Sequence, residues 1–129
     1  MIRLAALAVF LAFPVAAGAQ TEFDASQIAS EMVAVLRSPR AEIMGQIKSD
    51  CAFRHPDSRE IQGSCEWRQQ SLYDTIVAQW KARSTANTAG IIVWCMNENR
   101  SLHGFDWQHV SWCFERMTVE MRSRVDAKP

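Results

Sequence analysis

Cys51-Ala52-Phe53-Arg54-His55-Pro56-Asp57-Ser58-Arg59-Glu60-Ile61-Gln62-Gly63-Ser64-Cys65 sets a cysteine on each side of a Pro-Asp break. Ile43, Met44 and Ile47 precede it at helical spacing, and Ile61, Cys65, Leu72, Ile76 and Trp80 follow at helical spacing. The stretch therefore reads as a helix ending near its first Cys, a turn, and a capped helix carrying the second. The pattern returns downstream: Ile47-x3-Cys51, Pro56-Asp57 and Cys65-x-x-Arg68 match Ile91-x3-Cys95, Phe105-Asp106 and Cys113-x-x-Arg116. Two halves, 47–83 and 91–124, thus read as an internal repeat of helical hairpins. One offset disturbs the match. Asp57 precedes its Cys by eight residues and Asp106 by seven, a difference of about 100° around a helix. Either the second cap lies one residue from Asp106 or the similarity is partly accidental.

Helix starts recur as an apolar residue, an Asp cap and an aliphatic that follows the third residue after the cap. They are Phe23-Asp24 with Gln27-Ile28, Pro56-Asp57 with Glu60-Ile61, and Phe105-Asp106 with His109-Val110. Gln27 and Glu60 would complete capping boxes. Ser38-Pro39 adds a fourth start, with Ser as cap and Pro at the first helical position. The periodicity predicts helices at 25–37, 39–50, 58–83, 87–99 and 107–124, joined by short connections. Ile91-Ile92-Val93-Trp94-Cys95-Met96 is apolar on every side, which suits a helix in the middle of the bundle. A lone strand there would leave its backbone groups unpaired. The fold class expected is all-α, a small bundle of about five helices built from two disulfide-clamped hairpins plus an N-terminal helix.

Residues 1–19 have the three parts of a secretory signal peptide: Arg3, the apolar run Leu4 to Phe13, and Ala17-Gly18-Ala19 before Gln20. Cleavage after Ala19 would leave a single domain, 20–129. An uncleaved anchor is disfavoured, because the run falls short of the ~20 apolar residues that span a bilayer. Four cysteines, Cys51, Cys65, Cys95 and Cys113, in a short exported chain read as a disulfide framework. Of the three connectivities that four cysteines allow, the repeat favours pairing within each half, Cys51–Cys65 and Cys95–Cys113. A 15-residue loop closed this way contributes about 3 kcal/mol in the chain-entropy model. No pair has the close spacing of a zinc knuckle. The expected compartment is periplasmic or secreted.

Fourteen Lys and Arg balance fourteen Asp and Glu, and removing Arg3 leaves the chain near −1. No overall field recruits nucleic acid or an anionic membrane, and no segment after the leader is apolar enough to be an integral membrane span. There is no Gly-x-Ser-x-Gly, no His-Glu-x-x-His and no phosphate loop. The reading is therefore non-enzymatic, with no cofactor.

The Cys, Pro-Asp loop, second Cys and following Gln, as in Cys65-Glu66-Trp67-Arg68-Gln69, resemble a group of small exported, disulfide-stapled helical proteins of Gram-negative bacteria. The resemblance covers mainly residues 47–80. It implies the compartment and the stapled hairpin, and it carries over no activity and no catalytic residue. The longer second loop departs from the pattern.

Five tryptophans exceed what a small core requires. Helical-wheel positions put Trp67 opposite the Ile61/Cys65/Leu72 stripe, and Trp112 with Val119 opposite the Cys113/Met117/Met121 stripe. Exposed aromatics mark partner surfaces, so Trp67, Trp112 and Val119 are the candidate partner-binding residues unless another helix covers them. Arg68 and Arg116 could take an anion, though a solvated arginine is the ordinary reading. His103, Asp106 and His109 fall three apart, and Met117 and Met121 follow Cys113 in steps of four, with Met96 and Trp112 near in the chain. Such donors suit copper or zinc, but a cap with its neighbours and a core stripe explain them more simply. Asn99-Arg100-Ser101 is a glycosylation sequon that matters only in a eukaryotic host. The expectation is a non-catalytic protein-binding or structural module of the bacterial periplasm, its partner another protein or itself. The alternative is a copper- or zinc-handling protein using His and Met.

Overall fold

The computed structural model describes residues 17–82 and 86–126, with side chains placed over 26–82 and 87–124. Five helices follow one another: α1 Ala17–Arg37, α2 Arg40–Arg54, α3 Arg59–Lys81, α4 Ala86–Glu98 and α5 Trp107–Asp126. The only extended pairing among the described residues is an isolated bridge, Arg100 with Phe105, across the α4–α5 loop. The run Ile91 to Met96 is helical, as its lack of a strand partner requires.

Both disulfides form within the hairpins, Cys51–Cys65 and Cys95–Cys113, with Cα atoms 5.8 and 5.7 Å apart. The α2–α3 pair is antiparallel: the disulfide ties the loop end, and Arg40 at the start of α2 pairs with Asp74 late in α3 at 3.0 Å. In the second hairpin, Ile91 and Trp94 share a groove with Met117 and Met121, so α4 and α5 also run opposite ways. α1 packs on α4 and is tied to the second loop by Arg100–Glu31 at 3.2 Å.

The core gathers one face from each helix: Met32 and Leu36, Ile43, Ile47 and Cys51, Tyr73, Ile76 and Trp80, Ile92, Cys95 and Met96, and Trp107, Val110 and Cys113, with Phe105 from the loop. Trp107 is almost fully buried, with Tyr73 edge-on at 4.9 Å and Phe105 at 5.5 Å. Burying such large rings is what a short chain uses to exclude enough apolar surface from water.

Several helix boundaries differ from those read in the sequence. Asp24 does not cap α1, because the helix already runs from Ala17. Adding residues to an existing helix costs less than starting one, so Ala17 to Phe23 continue the α1 helix and Asp24 lies within it. The proposed signal peptide, residues 1–19, lies outside the described residues except for its last three, which begin α1. No described helix is long and apolar enough to cross a membrane. Ser38 does not cap α2 either. Its hydroxyl turns back to donate to Ala34 O at 2.9 Å, closing the end of α1, while Pro39 takes the cap position without a side-chain bond.

In α3 the cap is Ser58 rather than Asp57: Ser58 Oγ accepts from Ile61 N at 3.2 Å. Glu60 is then one residue short of the capping-box position. Ile61 sits in the first turn, half exposed, because the buried residues of α3 begin only at Gln69. The register correction removes the offset between the halves. Ser58 and Asp106 each precede their cysteine by seven residues.

α4 touches α1, α3 and α5, yet one edge stays open. Ile92, Cys95 and Met96 are buried and Ile91 and Val93 half-buried, but Trp94 is 46% exposed. The helix is apolar all round, but it is not covered all round.

Candidate functional site

Chemistry concentrates where both hairpin loops meet at one end of the bundle. Asp50, buried at the end of α2, accepts the His103 backbone N–H at 3.0 Å and the Ser101 hydroxyl, pinning the longer loop. Gln69 is also buried. Its Oε1 accepts the Trp107 backbone N–H at 2.7 Å and its Nε2 donates to Asp106 Oδ1 at 3.1 Å. One amide thus closes the first turn of α5 against the middle of α3.

Asp106 is the hub of this region. It caps α5 through His109 N at 3.3 Å, meets Arg54 at 3.4 Å and holds His109 Nδ1 at 2.7 Å. Burial pushes its carboxyl upward, but the bonds from Gln69 and His109 and the charge of Arg54 outweigh that, and its pKa lies below the ordinary value of 3.8. An ionised carboxylate only accepts, so Nδ1 of His109 carries the proton in this contact. The imidazole meets Trp112 edge-on at 5.3 Å.

From this hub a cleft of about 360 Å³ opens between α4 and α5, lined by Trp94, Glu98, Asn99, His109, Trp112, Cys113 and Arg116. Cys113, bridged to Cys95, is part of that lining. Two indoles supply apolar walls, and Glu98 and Arg116 supply opposite charges. Among the described residues neither has a hydrogen-bond or ion-pair partner. Asn99 is less available, since its Nδ2 donates to Cys95 O at 2.8 Å. That bond closes the last turn of α4 and engages the sequon amide.

The three residues proposed for partner binding are all exposed: Trp67 at 72%, Trp112 at 57% and Val119 at 63%. No described helix covers them. They do not form one site, however. Trp112 belongs to the α4–α5 cleft, whereas neither Trp67 on α3 nor Val119 further along α5 lines it. Arg116 does line it, and Arg68 does not.

The donors considered for a metal are dispersed. Asp106 and His109 bond each other, while His103 packs edge-on to Phe53 at 6.1 Å. Among the described residues no three His, Cys, Asp or Glu side chains converge. Met117 and Met121 share a shallow groove with Trp94, not with Trp112, and Met96 is sealed in the core. Trp107, Val110, Phe114 and Met117 form the core face of α5, and Val125 lies outside the described side chains.

Sequence reasoning missed Trp94 and Glu98. Trp94 sits in a run apolar on every side, where no wheel position marks it as exposed. The spacing of Trp94 and Glu98, one helical turn, was the available signal, since it puts both on one edge of α4. No known family, curated protein or solved structure matches the chain.

Proposed function

We propose that this chain is a small exported, non-catalytic binding or structural module of the bacterial periplasm, acting by docking another protein or a second copy of itself. Several large apolar side chains standing in water support that reading, above all Trp67, the most exposed of them. A small domain with a sound core does not leave an indole nearly bare for stability, and Trp is enriched where partners bind. The disulfides and the absence of a membrane-spanning helix among the described residues fit an oxidising, extracytoplasmic setting.

Trp67→Ala and Trp112→Ala test the reading, because both sites are exposed and the fold should survive. Sedimentation velocity reports self-association, and crosslinking of the purified protein in periplasmic extract reports a partner. Loss of complex in either variant, with an unchanged helical spectrum, is the expected result. Unchanged complexes in both variants would count against docking through these surfaces.

A second reading, copper handling, rests on Met117 and Met121 lying in one groove with Trp94, since thioethers favour Cu(I). Equilibrium dialysis of the oxidised protein against Cu(I) and Zn(II) decides it. Binding abolished by Met117→Leu would promote this reading, and absence of binding would end it.

A further inference from the structure

The arrangement of the α4–α5 cleft specifies more than an aromatic surface. Cys95 and Cys113 stand level across the hairpin, their Cα atoms 5.7 Å apart. Glu98 lies three residues beyond Cys95 toward the loop, and Arg116 lies three residues beyond Cys113 in the opposite direction. Because the helices are antiparallel, these positions are about 9 Å apart along the bundle axis at 1.5 Å per residue. The two charges border one cleft but stand at opposite ends of it, with the indoles of Trp94 and Trp112 also in its lining. This stagger explains why they make no ion pair with each other.

We propose that the cleft is a binding site for a short peptide of two to three residues with free termini. Its amine sits at Glu98, its carboxylate at Arg116, and its apolar body lies against Trp94 and Trp112. An extended chain advances about 3.3–3.6 Å per residue, so two to three residues span the separation. Guanidinium recognises a carboxylate through paired donors, and a carboxylate accepts from an ammonium, both stronger than neutral hydrogen bonds. The cleft volume lies at the lower end of small-ligand sites, which suits a ligand of this size. A neutral glycan could also lie on indoles, but it would leave both charges uncompensated. A ligand carrying one charge would compensate only one of them.

The site shares Trp112 with the docking reading, whereas Trp67 lies outside the cleft and reports on docking alone. The test is a titration of the oxidised full chain, followed by tryptophan fluorescence and by the indole N–H resonances. The probes are Ala-Phe-Ala with free termini, the same peptide blocked at one end or at both, and chitotriose. The free peptide should bind, and blocking either end should weaken it about tenfold or more, the size of one charge-assisted contact. Glu98→Gln should remove the preference for a free amine alone, and Arg116→Gln the preference for a free carboxylate alone. Trp67→Ala should leave the affinity unchanged even if it abolishes partner docking. Equal binding of free and doubly blocked peptide, tighter binding of chitotriose, or no binding up to about 10 mM peptide would each overturn the proposal.

Discussion

Asp106 does at one position what several residues share elsewhere in the bundle. It satisfies an orphan N–H of α5, accepts from the buried Gln69 amide, and holds both Arg54 and the His109 ring. These contacts join α2, α3 and α5 at the loop end, so the carboxylate links the two hairpins as well as capping one helix. Its depressed pKa gives that link a pH signature. A group whose native pKa lies below its unfolded value contributes fully above the unfolded value and loses the contribution as pH falls through the native one. The urea midpoint should therefore hold steady down to about pH 4 and then drop. Asp106→Asn keeps a competent cap but cannot ionise. It should start lower in stability at pH 6 and show a shallower fall between pH 4 and 2. Parallel profiles for the two proteins would mean that the acid sensitivity resides in other carboxylates.

At the scale of the helices, the difference between an Asp and its neighbouring Ser decides how the hairpins compare. Both Asp57 and Ser58 are good cap residues, and one-dimensional pattern cannot choose between adjacent candidates when Pro56 fits ahead of either. Backbone geometry chooses. Ser58 is extended, with φ −140° and ψ 108°, and its hydroxyl accepts from Ile61 N. Ser58→Ala should cost about 1 kcal/mol in urea unfolding, and Asp57→Ala much less. The reverse order would restore Asp57 as the cap and with it the offset between the halves. The same limit governs how much was legible beforehand. Helical periodicity and the cysteine spacing carried the element order, the antiparallel pairs and the faces of α2 and α5, because burial leaves a repeating trace. The α4 edge left no such trace. Trp94 is apolar like its buried neighbours, and the free carboxylate of Glu98 becomes informative only once Arg116 is seen at the other end of one cleft.

For the molecule as a whole, the two disulfides carry an unusual share of the stability. The described residues support one modest core, and domains of this kind hold about 5–15 kcal/mol. Closing loops of 15 and 19 residues contributes about 3 kcal/mol each in the chain-entropy model, comparable in sum to that whole margin. Cys51 and Cys95 are also completely buried, so replacing them by Ala removes packing as well as the bridge. Cys51→Ala/Cys65→Ala and Cys95→Ala/Cys113→Ala should each lower the unfolding free energy by about 3–4 kcal/mol. The second pair should also loosen the cleft, because its bridge sets the register of Glu98 against Arg116. With both pairs removed, or with the oxidised protein fully reduced, the chain should lose most of its cooperative transition while keeping fragments of helix. Far-UV circular dichroism through a urea series with and without reductant measures this directly. A reduced chain with the same midpoint as the oxidised one would show that core packing alone holds the hairpins together, and that the cysteines serve some purpose other than stability.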